Sequence, residues 1–74
     1  MEKSIQQIID SEELITSQEF RLLRNYLGKS QEELAFDLGY QHKSNISHYE
    51  TGKTKVDVPL DYMMKGLVRS KSDV

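Results

Sequence analysis

An all-α fold, a compact bundle of four to five short helices, is what this sequence predicts, and three observations predict it. Glu, Gln, Leu and Lys are plentiful, whereas the 74 residues hold one proline and four glycines, a composition that favours helix. Apolar residues recur three and four apart in separate stretches, the period of a helix with one buried face. Capping residues stand before these stretches and glycine after most of them. A chain this short buries only about 60% of the surface its unfolded form exposes, so a single modest core, residues 1–74 as one domain, is the expectation. With no cysteine, neither a disulfide framework nor a thiolate metal site contributes to it.

The elements follow in order. Ile5, Ile8 and Ile9 mark a short helix within an extension over residues 1–15, with Ser4 as its best available cap. Thr16 then opens a longer helix, Ser17 to Leu27, because Glu19 stands at the reciprocal capping-box position and Ile15 faces Phe20 as a hydrophobic staple. Gly28 closes it. Ser30 and Glu33 form a second box before Gln31 to Leu38, whose inner face is Leu34, Ala35 and Leu38, and Gly39 ends that helix. A polar run, Tyr40-Gln41-His42-Lys43-Ser44-Asn45, holds a turn and the start of a third helix with Ile46 and Tyr49 inward and Gly52 at its end. After a polar loop, Pro59 suits the first turn of a last helix, Pro59 to Val68, with Leu60, Met63, Met64, Leu67 and Val68 at helical spacing. Gly66 weakens it by about 1 kcal/mol against Ala. Residues 69–74 read as a frayed polar tail.

Charge is unevenly spread. The formal total is -2, yet residues 1–20 set one lysine against five carboxylates, while residues 40–56 set Lys43, Lys53 and Lys55 against Glu50 alone. Positive charge therefore falls on the turn and the third helix, and distribution matters more than the total. Other classes fit poorly. A catalytic constellation has little room in so small a core, and His42 and His48, six residues apart, do not share a helical face as a zinc-binding pair requires, so no enzyme, metal or cofactor is expected. No stretch approaches the roughly 18 apolar residues of a membrane span, and the start lacks a secretory signal. A soluble, cytoplasmic protein is the expectation.

The two helices joined through Gly39 form an αα-hairpin, most often plain architecture. Here the outward residues of the second one, Lys43, Ser44, Asn45, Ser47 and His48, include no acid and offer donors and acceptors that match base edges in a major groove. Gln31 and the free amides of the preceding helix start, together with Lys53 and Lys55, are placed to meet phosphates.

Ser30-Gln31-Glu32-Glu33-Leu34-Ala35, Leu38-Gly39, Ile46-Ser47 and Tyr49-Glu50-Thr51-Gly52-Lys53, with Arg24 and Gly28 upstream, resemble the Cro and phage-repressor helix-turn-helix family, often called Xre-like, over about Phe20 to Val68. The resemblance implies a lambda-repressor-like DNA-binding domain acting as a homodimer on a palindromic double-stranded site, with transcriptional repression its commoner outcome. It implies base contacts by Lys43, Ser44 and His48, with Asn45 and Ser47 secondary, phosphate contacts by Gln31, Lys53, Thr54 and Lys55, and an ion pair between Arg24 and Glu50. One departure is that Gly39 to Ile46 is a residue longer than the commonest family spacing. The expected cap falls on His42, whereas Ser44 is chemically the better one and would leave Lys43 in the loop. A rival reading is an antitoxin-like or anti-repressor module that grips a protein partner through Ile5, Ile8, Ile9 and the Met63, Met64 region.

Overall fold

The computed structural model describes residues 3–72. They form helices α1 (Ile5–Asp10), α2 (Ser17–Leu27), α3 (Gln31–Leu38), α4 (Ser44–Thr51) and α5 (Val58–Ser72). Three of the five starts are fixed by reciprocal capping boxes, in which a hydroxyl accepts the N3 amide and the N3 side chain accepts the cap's own amide: Ser4 with Gln7, Thr16 with Glu19, Ser30 with Glu33. The short amino-terminal helix thus has a better start than Ser4 alone predicts. Asp57 opens α5, its Oδ1 accepting the Leu60 amide at 3.0 Å, so that Val58 is the first helical residue and Pro59 the second. Proline is tolerated there because its missing amide would have had no helical partner.

The core gathers Ile8, Ile9, Ile15, Phe20, Leu23, Leu34, Ala35, Ile46, Val56, Leu60, Met64 and Val68. α2 lies at its centre, packed on α4 and α5, while α3 rests on α4 and α1 covers the side formed by α2 and α5. One expectation is corrected. Met63, placed on the inner face by spacing, is 45% exposed, because it lies at the edge of a stripe in which Leu60, Met64 and Val68 are buried and Leu67 is partly buried against the core.

α5 also runs past Val68 to Ser72, so the expected frayed tail is helical over 69–72; positions 73–74 lie outside the described residues. Its cations explain the extra turn. Arg69 Nη2 donates to the Ile9 carbonyl at 2.7 Å, and Lys71 Nζ donates to the Tyr26 carbonyl at 2.6 Å while lying over the Tyr26 ring. Lys65 is itself buried beside buried Asp61. Its ammonium donates to Ser11 O at 2.8 Å and Glu13 O at 3.0 Å and pairs with Asp61 Oδ2 at 3.0 Å, and Asp61 Oδ1 accepts the Ile15 amide at 3.0 Å. One turn apart on α5, Asp61 and Lys65 thus bind the backbone of the connection between α1 and α2, and Arg69 binds the last turn of α1. α1, too short for stability alone and without a basic residue in its last turn, receives that charge from Arg69.

Gly66 lies on the exposed side of α5, where an added Cβ would meet nothing within 4 Å. Gly66→Ala is expected to raise Tm by about 4–8 °C, the effect of about 1 kcal/mol of helix propensity in a domain this size. Thermal melts followed by circular dichroism measure it, and an unchanged or lower Tm would show that the glycine serves a contact or curvature of the helix.

Candidate nucleic-acid interface

The hairpin of α3 and α4 turns on Gly39, whose φ of +82° is in the left-handed region that glycine enters without steric cost. Its amide bonds to the Ala35 and Phe36 carbonyls, and the Tyr40 amide returns to Ala35 O at 2.8 Å. Tyr40 then folds against α4: its hydroxyl lies 3.2 Å from that of Tyr49, and the Tyr49 ring stacks on Phe20 of α2 with centroids 5.6 Å apart. Burial first, and then the Tyr49 hydroxyl, push the Tyr40 phenol well above its ordinary value.

A second tie is ionic. Glu50 Oε2 accepts from Arg24 Nε at 2.5 Å, and Oε1 accepts from Arg24 Nη2 and from Gln31 Nε2, each at 3.2 Å. Arg24 Nη1 also donates to Lys29 O at 2.9 Å. One carboxylate near the end of α4 therefore fastens α2 and the first residue of α3, while Arg24 holds the connection between them. Gln31, expected to face phosphate, spends one amide hydrogen on this network and is half-buried. Its second hydrogen remains for another acceptor.

α4 starts with neither of the two caps considered. Lys43 takes the cap position in helical conformation (φ -63°, ψ -19°) with no side-chain bond, and the turn tightens through the Asn45 amide to His42 O at 3.2 Å. Lys43 is thus an exposed residue at the helix entrance. With Ile46 fully buried and Tyr49 and Glu50 held inward, the helical period puts Ser44, Ser47, His48 and Thr51 together on the opposite face. Asn45 lies on the flank. Thr51 is absent from the residues singled out by sequence, although its place seven residues after Ser44 was the signal for it. Its Oγ1 donates to His48 O at 3.3 Å.

Beyond α4, Gly52 enters the left-handed region at φ +82° and the Thr54 amide folds back to His48 O at 3.2 Å. Lys53, Thr54 and Lys55 are exposed in this loop, at the opposite end of α4 from Lys43. At the start of α3, the Glu33 carboxyl is held below its ordinary range chiefly by the Ser30 amide and hydroxyl. No group of three His, Asp or Glu that could hold a metal is gathered among the described residues. Nor is any helix among them long and apolar enough to cross a membrane.

The helix-turn-helix domain is the family whose model matches this chain, over residues 17–61, the stretch that runs from the start of α2 to the first turn of α5. The chain belongs to the helix-turn-helix domain family, as its resemblance to the Cro and phage-repressor type implied, and that family is one of DNA-binding domains. Comparison with curated proteins and with solved structures gives no match.

Proposed function

We propose that the protein is a sequence-specific regulator of transcription, a repressor that binds a palindromic operator in double-stranded DNA as a homodimer and acts in the cytoplasm. The observation that carries this reading is the outward face of α4. Ser44, Ser47, His48 and Thr51 stand together on a helix that two independent ties fix to α2, with no carboxylate among them and lysines at both ends. Such a face has the chemistry of major-groove reading. Ser44 and His48 are the principal base contacts, with Ser47, Asn45 and Thr51 beside them, and Lys43 contacts a base edge or phosphate from the helix entrance. Lys53, Thr54, Lys55 and the second hydrogen of the Gln31 amide position the protein on phosphates.

Size favours two copies. The greatest extent of one copy is 29 Å, short of the roughly 34 Å that separates half-sites on one face of the duplex. The rival protein-interaction reading loses some of its surface, since Ile8 and Ile9 are buried and Met64 is fully enclosed, although Met63 stays available.

Selection from random duplex DNA tests the reading. A palindromic consensus is expected. On that consensus the combined variant Lys43→Ala, Ser44→Ala, His48→Ala is expected to bind at least about thirtyfold more weakly, as two lost base contacts of ~1–3 kcal/mol each imply, with helicity unchanged. No enrichment, or full binding by the variant, would sink the assignment.

A further inference from the structure

An open hollow of about 440 Å³ separates the first turn of α3 from the entrance of α4, lined by Glu32, Gln41, His42, Lys43 and Ser44. In a helix-turn-helix complex the first helix crosses the sugar-phosphate backbone and the second enters the groove, so this hollow faces a phosphate strand. Glu32 is its only carboxylate. From residue 29 to 57 the other carboxylates all have partners: Glu33 with Ser30, Asp37 with Lys29, Glu50 with Arg24 and Gln31, Asp57 with the Leu60 amide. Glu32 alone has neither a hydrogen bond nor an ion pair, and Lys43 across the hollow does not close on it. A free carboxylate is thus set where the chain otherwise presents cations.

Its helical position offers a bland explanation. An acid in the first turn interacts well with the helix dipole. Glu33 already fills that role one residue later and is bonded besides, so the dipole does not require a second, unpartnered acid that points at the hollow.

Resting on the DNA-binding reading above, we infer that Glu32 is a charge brake on that interface: its carboxylate repels the facing phosphates and lowers the affinity for every duplex alike. Sequence choice stays with the outward face of α4. The brake tunes how long the protein remains bound, which for a chain of net charge -2 keeps bulk attraction small beside specific contacts.

The test measures binding by fluorescence anisotropy on a random-sequence duplex and on the selected consensus at low and moderate salt. Glu32→Gln is expected to tighten both about threefold to fivefold at low salt, the scale of one screened charge interaction near a surface, with a shrinking gain as salt rises. Glu32→Lys is expected to tighten them further and to steepen the salt dependence by about one unit of slope. Glu12→Gln, an equal change in net charge on the exposed connection between α1 and α2, is expected to leave binding unchanged, and the thermal melts of all three are expected to stay close to the parent's. The inference is overturned if Glu32→Gln matches Glu12→Gln or the parent. It is equally overturned if Glu32→Gln alters affinity for the consensus alone, which would make Glu32 an acceptor from a base. A parent protein that binds no duplex would instead remove the DNA-binding reading itself, before either variant is compared.

Discussion

Lys65→Met is expected to destabilise the protein by about 3–5 kcal/mol, the cost of leaving a buried carboxylate without its partner. A domain of this size has only about 4–11 kcal/mol in all, so the variant should melt far below the parent or fail to fold fully at 37 °C. The magnitude follows from what the ammonium holds. At 6% exposure Lys65 has no water to return to, and its three hydrogens are matched to Ser11 O, Glu13 O and Asp61 Oδ2. Methionine keeps the length and the apolar stem but strands three acceptors. Adding Asp61→Asn to Lys65→Met is expected to recover part of the loss, since the amide removes the buried charge and can still accept the Ile15 amide. Denaturant melts of the single and double variants measure both effects. A loss below about 1 kcal/mol for Lys65→Met, the range of an exposed pair, would mean that the connection between α1 and α2 lifts from α5 and hydrates.

This latch also marks where the sequence stopped being legible. Caps, staples and left-handed glycines are decided within a few residues, so Thr16 with Glu19, Ser30 with Glu33, Gly39 and Gly52 could be read directly and they bound the hairpin that defines the site. Asp61, Lys65, Arg69 and Lys71 look like ordinary solvated charges on an amphipathic helix. Their partners are carbonyls and an amide between about 45 and 60 residues away, and no local pattern announces such a contact. The end of α5 was misread for this reason, because its last turn depends on Arg69 and Lys71 reaching α1 and α2. The start of α4 was ambiguous for a different reason. With no side chain capping it, the turn is set by the packing of Tyr40 and Ile46, and neither His42 nor Ser44 carries a signal that decides the matter. Met63 shows the limit of periodicity: a stripe of five apolar residues fits the inner face, but Leu60, Met64 and Val68 fill the core with Leu67 packed beside them, and Met63 at the edge of the stripe is left exposed.

The second large effect is expected at Glu50, where stability and recognition meet. Glu50→Ala is expected to cost about 2–3 kcal/mol, less than the loss at Lys65 because the stranded Arg24 keeps its bond to Lys29 O and its longer, partly exposed side chain can recover some water. The variant leaves Arg24 Nε and Nη2 without their acceptors and frees the Gln31 amide. Arg24 still caps Lys29 O, so the turn before α3 should survive while α4 loses its ionic tie to α2. Two consequences separate this role from a merely structural one. The melting temperature should fall further for Glu50→Ala than for Glu33→Ala, whose carboxylate is in contact with solvent and serves only the Ser30 cap. Specific binding should weaken even at temperatures where the variant is fully folded, because α4 would then hold its outward face through apolar and aromatic packing without its ionic tie to α2. A double-mutant cycle with Arg24→Met isolates the coupling between the two residues, expected at about 1–3 kcal/mol for a hydrogen-bonded charge pair. Equal melting temperatures for Glu50→Ala and Glu33→Ala, or additive losses in the cycle, would show that the pair holds nothing together and that the aromatic contacts of Tyr40, Tyr49 and Phe20 orient α4 unaided.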